Sequence, residues 1–112
     1  MTWGAIATWR MAHDGLLKAA EELQQGGAAG TAVEQLIKEV EDYPFYKSVG
    51  YGGLPNEEGI LEMDAAYMDG DTFAIGAVAG ITDVKNPISY HAHHRGSTDF
   101  PEFLLNAFAT ID

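Results

Sequence analysis

The sequence predicts an α+β fold. It contains two segments with helical periodicity and two β-strand segments joined by an Asp-Gly turn. With 112 residues, the chain is expected to form one compact unit. Its hydrophobic content of 46% is typical of globular proteins. The predicted order is strand, helix, helix, β-hairpin and a short C-terminal helix.

The first two predicted elements precede residue 28. Residues 3–9 are short, apolar and compatible with a strand, which would enter the core at the start of the chain. Apolar residues then recur at helical spacing over residues 11–25. Gly26 and Gly27 provide the expected stop, so this segment is predicted to be a helix.

A second helix is predicted after Gly30, ending near Asp42. Thr31 precedes Glu34 by three residues, which is the spacing of a capping box, and an apolar stripe follows. Pro44 ends the periodicity, because proline cannot donate a helical hydrogen bond and restricts the residue before it.

The hairpin is predicted from two strands, residues 60–68 and 72–81. They are separated by Asp69-Gly70-Asp71, and an Asp-Gly pair is a strong hairpin signal. The second strand is nearly continuous in small and apolar residues, so we expect it to be buried on both faces.

Composition changes after Ser89, which divides the chain into residues 1–89 and a divergent tail, residues 90–112. Within the tail, residues 101–111 regain an apolar pattern that indicates a short helix. The tail also holds His91, His93 and His94. Zinc normally needs three or four well-placed ligands with supporting contacts, so we interpret these histidines as part of an exposed segment and predict no metal site.

Charge limits the partners of the chain. The net charge is −11, which repels nucleic-acid phosphates and anionic membranes, so neither is expected to bind.

The chain has no cysteine, and no cofactor motif is recognised. The N-terminus lacks the pattern of a signal peptide, and no apolar run reaches membrane-spanning length, so a cytoplasmic location is expected.

Several blocks of the sequence together resemble the glycosylasparaginases, the N4-(β-N-acetylglucosaminyl)-L-asparaginases of the N-terminal-nucleophile hydrolase superfamily. The resemblance begins at residues 3–11 and is densest from Tyr46 to Ser89. Its most distinctive blocks are residues 48–59, 63–70, 76–81 and 85–88.

The resemblance implies a four-layer αββα sandwich, of which this chain would supply the N-terminal portion. It also implies hydrolysis of the asparagine-linked sugar amide by an N-terminal threonine, whose own α-amine acts as base. Autocleavage within a His-Asp-Thr segment frees that threonine, and the present sequence has no such segment. No catalytic residue is therefore predicted, and this chain alone is expected to be inactive.

Trp9 is the one site residue that the resemblance implies, because the Thr-Trp pair of the family lines the substrate pocket. The alternative is an aromatic anchor in the core.

Two other pairs, Asp71-Thr72 and His13-Asp14, superficially resemble the cleavage site, but their sequence context favours structural roles. Five acidic residues are interpreted as a solvated face rather than as a cation site. They are Glu57, Glu58, Glu62, Asp64 and Asp69.

The leading hypothesis is a truncated glycosylasparaginase-type hydrolase, or its N-terminal section. Its full-length parent would act on a glycosylated asparagine or a β-aspartyl compound. The alternative is a noncatalytic binding or scaffold module derived from that fold. A fragment that lacks its second sheet is expected to expose apolar surface and to self-associate through it, whereas an independent module would be a folded monomer.

Overall fold

The computed structural model describes residues 2–89. Two α-helices, α1 (His13–Gln24) and α2 (Ala29–Asp42), precede two strands, β1 (Met63–Met68) and β2 (Ile75–Ile81). The predicted order of helix, helix and hairpin is confirmed, as is the α+β class. The predicted helix at residues 101–111 and the three tail histidines lie outside the described residues.

The predicted first strand is wrong in this structure. Residues 3–7 have no regular secondary structure, and the side chain of Ile6 is 95% exposed. A strand needs a neighbour for its backbone donors and acceptors. Within residues 2–89, β1 and β2 pair with each other, and no segment pairs with residues 3–9.

Small residues let α1 and α2 approach closely. Gly15 and Ala19 lie one turn apart on α1 and are both buried, as is Ala32 on α2. A Cβ atom at Gly15 would lie 2.8 Å from the carbonyl oxygen of Leu36. At the surface, Lys18 forms an ion pair with Glu39.

The start of α2 differs from the prediction. The helix begins at Ala29 after an extended Ala28, and no side chain caps it. Thr31 therefore lies inside the first turn, and the predicted capping box is wrong. Glu34 Oε1 instead accepts a hydrogen bond from Ser89 Oγ at 2.8 Å. The C-terminal end is as predicted, with an extended Tyr43 following Asp42.

The antiparallel hairpin has a longer connection than the Asp-Gly pair suggested. Met68 pairs with Ile75, and residues 69–74 form the loop between the strands. Backbone hydrogen bonds close this loop, from Asp69 N to Ala74 O at 2.9 Å and from Phe73 N to Asp69 O at 2.8 Å. Within the loop, Asp69 Oδ1 accepts a hydrogen bond from the Asp71 backbone N–H at 2.9 Å, which stabilises the local turn.

Burial of β2 on both faces is confirmed only at its centre. Ala77 and Val78 are each 5% exposed and, being consecutive, point to opposite faces. Ile75 is 63% exposed, because the two-stranded sheet of the described residues leaves this end of β2 uncovered.

No helix in residues 2–89 has the length and apolar character required to cross a bilayer.

Candidate functional site

An open cavity of about 820 Å³ lies between α2 and the irregular segments on either side of the helices. Its size falls within the usual range of small-molecule sites, roughly 300–1,000 Å³. Four stretches of sequence contribute to its wall: residues 6–12, 33–41, 47–54 and 61–64. Pro87 completes the lining.

The apolar face of α2 forms one wall. Val33, Leu36, Ile37 and Val40 all line the cavity, and their spacing places them on one side of the helix. The helix is amphipathic, so this side is the one that the sequence directs toward a core. Here it faces an open cavity instead.

The glycine-dense loop, residues 48–59, forms a second wall and packs directly on the end of α2. Gly50 is buried and has a φ of 64°, a conformation that side chains with a Cβ rarely adopt. A Cβ atom there would lie 2.3 Å from the Cα atom of Glu41. Glycine is therefore required both by the backbone conformation and by the contact.

Trp9 lies in the third wall, formed by the N-terminal segment. Its φ is 69°, which is unfavourable for a non-glycine residue. Its carbonyl oxygen accepts a hydrogen bond from the Ala12 backbone N–H at 3.1 Å, which begins the short turn before α1. The side chain is 79% exposed, so it is not a buried core anchor within the described structure.

Glu41 is a residue at the cavity that the sequence analysis did not single out. It is only 6% exposed, and its carboxylate accepts hydrogen bonds from Ile88 N at 3.2 Å and Asn86 Nδ2 at 3.0 Å. Burial raises the pKa of Glu41, while the two hydrogen bonds oppose that shift. A sequence signal exists, because position 41 follows the apolar Ile37 by four residues and so shares its side of α2.

Asn86 links the end of α2 to the segment after β2. Besides its bond to Glu41, its Nδ2 donates to Asp42 Oδ1 at 2.8 Å. Lys85 Nζ lies 3.7 Å from the same Asp42 oxygen. These contacts hold residues 85–89 against α2 and keep Pro87 in the cavity wall.

The predicted acidic face is divided between the cavity and the surface. Glu62 and Asp64 line the cavity, whereas Glu57 and Glu58 lie in an exposed loop. Asp64 Oδ1 accepts a hydrogen bond from Gly80 N at 2.8 Å, where the pairing of β1 and β2 is irregular. Within residues 2–89, no group of three or more potential ligands is arranged to hold a metal ion.

The two sequence pairs that superficially resemble a cleavage site lie away from the cavity wall. His13 begins α1, and its Nδ1 lies 3.4 Å from Asp14 Oδ1 at the surface. Thr72 lies in the hairpin loop, where its Oγ1 accepts a hydrogen bond from Ala74 N at 3.2 Å. Neither pair lines the cavity.

The cavity wall offers apolar contact and a few polar groups. Thr8 and Ser48 carry hydroxyl groups, Lys47 carries an amine, and three further lining residues carry carboxyl groups: Glu41, Glu62 and Asp64. The wall therefore offers a ligand both apolar surface and polar groups that can donate or accept hydrogen bonds.

The sequence model of one protein family, described as Asparaginase, matches residues 6–95. The chain belongs to the asparaginase family. The matched range includes all the residues that line the cavity.

Individual relatives of this asparaginase-family chain carry different names. It is 42% identical over 84 residues to an N(4)-(β-N-acetylglucosaminyl)-L-asparaginase of Elizabethkingia miricola, covering 75% of this chain and 24% of the relative. It is 44% identical over 73 residues to an isoaspartyl peptidase/L-asparaginase of Xenopus laevis, covering 65% and 23%. It is 51% identical over 69 residues to a plant-type L-asparaginase of Pyrococcus horikoshii, covering 62% and 22%.

The aligned part of the chain thus corresponds to about a quarter of the length of these relatives. The family resemblance inferred from the sequence is confirmed, and it applies to the N-terminal part. The chain is accordingly similar to part of an amidohydrolase.

Proposed function

We propose that this chain is the N-terminal section of a glycosylasparaginase-type amidohydrolase, and that it supplies a wall of the substrate pocket. The reaction of the complete enzyme would be hydrolysis of the amide bond between asparagine and its linked sugar. The nucleophilic threonine would come from sequence outside residues 2–89.

The observation that carries this proposal is the convergence of the family-like blocks on one cavity. Residues 3–11 and 48–59 are far apart in the sequence, and both contribute to the lining. Blocks 63–70 and 85–88 contribute Met63, Asp64 and Pro87. Four of the five family-like blocks therefore contribute to one cavity, and residues 76–81 do not line it.

The composition of the wall supports a binding role. Acyl transfer requires an activated nucleophile and donors aimed at the developing oxyanion. Within residues 2–89, no side-chain hydrogen bond joins the lining hydroxyl groups of Thr8 and Ser48 to a base. The wall would therefore orient the substrate toward a threonine supplied from elsewhere in the enzyme.

Trp9 is the residue that we propose contacts the substrate. An exposed indole offers a large, rigid apolar surface with a polar N–H at its edge. Its ring can pack against a flat face of a ligand, while the N–H donates a hydrogen bond to a polar group at the ligand's edge. Trp9 lines the same cavity as the apolar face of α2, so a ligand that contacts the indole would also lie near that face.

A chimera tests the proposal. Residues 6–89 would replace the aligned segment of the Elizabethkingia miricola relative, and release of aspartate from N4-(β-N-acetylglucosaminyl)-L-asparagine would be measured. We expect the chimera to be active and W9A to weaken its kcat/KM by roughly tenfold or more, a loss of about 1.4 kcal/mol or more. L-asparagine and a β-aspartyl dipeptide serve as competing substrates.

F45A is the matched control, because Phe45 is also an exposed aromatic residue, at 73%, but does not line the cavity. F45A should retain the kcat/KM of the unsubstituted chimera. Equal losses in W9A and F45A would contradict the pocket role of Trp9. A folded chimera that prefers L-asparagine would contradict the substrate assignment.

A further inference from the structure

Three parts of the cavity wall meet at Glu41, near the C-terminal end of α2. Gly50 of the glycine-dense loop packs against the backbone of Glu41, since a Cβ atom at Gly50 would lie 2.3 Å from the Glu41 Cα atom. The Glu41 side chain is bonded to Asn86 and to Ile88, the two neighbours of the lining residue Pro87. One residue of α2 therefore contacts both the loop and the segment that carries Pro87.

Both oxygens of the Glu41 carboxylate are used to hold that segment. Oε1 accepts a hydrogen bond from the Ile88 backbone N–H, and Oε2 accepts one from Asn86 Nδ2. Pro87 lies between these donors, and its side chain is fully buried. Because proline has no backbone N–H, the bonds made by its two neighbours hold this part of the wall against α2.

The burial of Glu41 carries an energetic cost that packing alone does not require. Among residues 2–89, Glu41 is the one charged residue that is buried, with 6% of its surface exposed. An apolar side chain of similar size could fill the same space without removing a carboxylate from water, but it could not accept the two hydrogen bonds. The bonds are therefore the feature that distinguishes glutamate from an apolar residue at this position.

We infer that Glu41 is a positioning residue of the substrate pocket, which sets the spacing between the glycine-dense loop and Pro87. The backbone of Glu41 determines how closely Gly50 approaches, and its side chain determines where Pro87 lies. This inference rests on the proposed function, in which the wall binds the substrate. A displacement of about 1 Å in a wall that orients a substrate can lower the rate by up to about a hundredfold.

The active chimera described above allows the test, with N4-(β-N-acetylglucosaminyl)-L-asparagine as substrate. E41Q keeps the size of the side chain but replaces one acceptor with an amide donor, so one of its two bonds is lost. N86A removes the Asn86 bond from the other side and leaves the carboxylate in place. We expect each variant to raise KM by roughly tenfold or more. The double variant should be no worse than the weaker-binding single variant, because both changes remove the same bond.

E34Q is the matched control. Glu34 also lies on α2 and is bonded to Ser89 Oγ, but it does not line the cavity. E34Q should retain the KM of the unsubstituted chimera. A merely structural role for Glu41 would reduce the folded fraction, which lowers the apparent kcat and leaves KM unchanged.

Two results would overturn this inference alone. One is an unchanged KM in active E41Q and N86A chimeras, and the other is an equal rise of KM in E34Q. If E41Q does not fold, N86A carries the same test. An unsubstituted chimera that folds without releasing aspartate would overturn the proposed function, and this inference with it.

Discussion

Replacing Gly50 with alanine perturbs the contact that joins the glycine-dense loop to α2. The new Cβ atom would lie 2.3 Å from the Cα atom and 2.5 Å from the carbonyl oxygen of Glu41. Both are backbone atoms, so the overlap cannot be relieved by rotating a side chain. The loop or the end of the helix must move.

The expected loss of stability in G50A has two contributions. Alanine at a φ of 64° costs about 1–2 kcal/mol from the left-handed conformation. Overpacking against a fixed neighbour costs about 1–3 kcal/mol more. Gly59 provides a matched control in the same loop, because its φ is 78° but no atom lies within 4 Å of its added Cβ.

The free energy of unfolding of G50A and G59A would be measured by urea denaturation, followed by far-UV circular dichroism. We expect both variants to be destabilised, with G50A losing about 1–3 kcal/mol more than G59A because only Gly50 makes the close contact. Equal losses would refute the close approach of the loop to Glu41. A stable G50A would refute both parts of the reasoning.

Three further predictions concern the helices, the buried carboxylate and the hairpin. G15A should lower the urea midpoint despite the better helix propensity of alanine, because its Cβ would overlap α2. Burial raises the pKa of Glu41 above its ordinary 4.5, so the folded chain binds this proton more tightly than the unfolded chain does. The free energy of unfolding should therefore fall as pH rises from about 4.5 through the raised pKa, by at most about 1.4 kcal/mol per pH unit. This pH dependence should be absent in E41Q and retained in the exposed-loop control E58Q. D64A should cost about 1 kcal/mol by removing the acceptor of the Gly80 N–H, measured by urea denaturation, and an unchanged midpoint would contradict this role.

Local pattern was sufficient to predict α1, α2 and the pairing of β1 with β2. The apolar stripe of α2 and the extended residue before Pro44 are set by neighbours in sequence, and both have the predicted form. The strand predicted at residues 3–9 failed because a strand depends on a partner elsewhere in the chain, which no local pattern identifies.

Side-chain hydrogen bonds account for the other differences. Glu34 was interpreted as part of a cap, but its carboxylate is bonded to Ser89, fifty-five residues away in the sequence. The sequence analysis did not single out Glu41, whose carboxylate is buried and bonded to Asn86 and the Ile88 backbone. Trp9 could be placed at the cavity only by resemblance, because nothing in its local sequence specifies the walls around it.

The central claim is that the chain supplies a pocket wall while the nucleophile comes from elsewhere. The most direct measurement is product release by the purified 112-residue chain incubated with N4-(β-N-acetylglucosaminyl)-L-asparagine, in a preparation free of any longer asparaginase. We predict no release of aspartate or aminosugar above the rate without protein. Release in proportion to the amount of chain added would contradict the account.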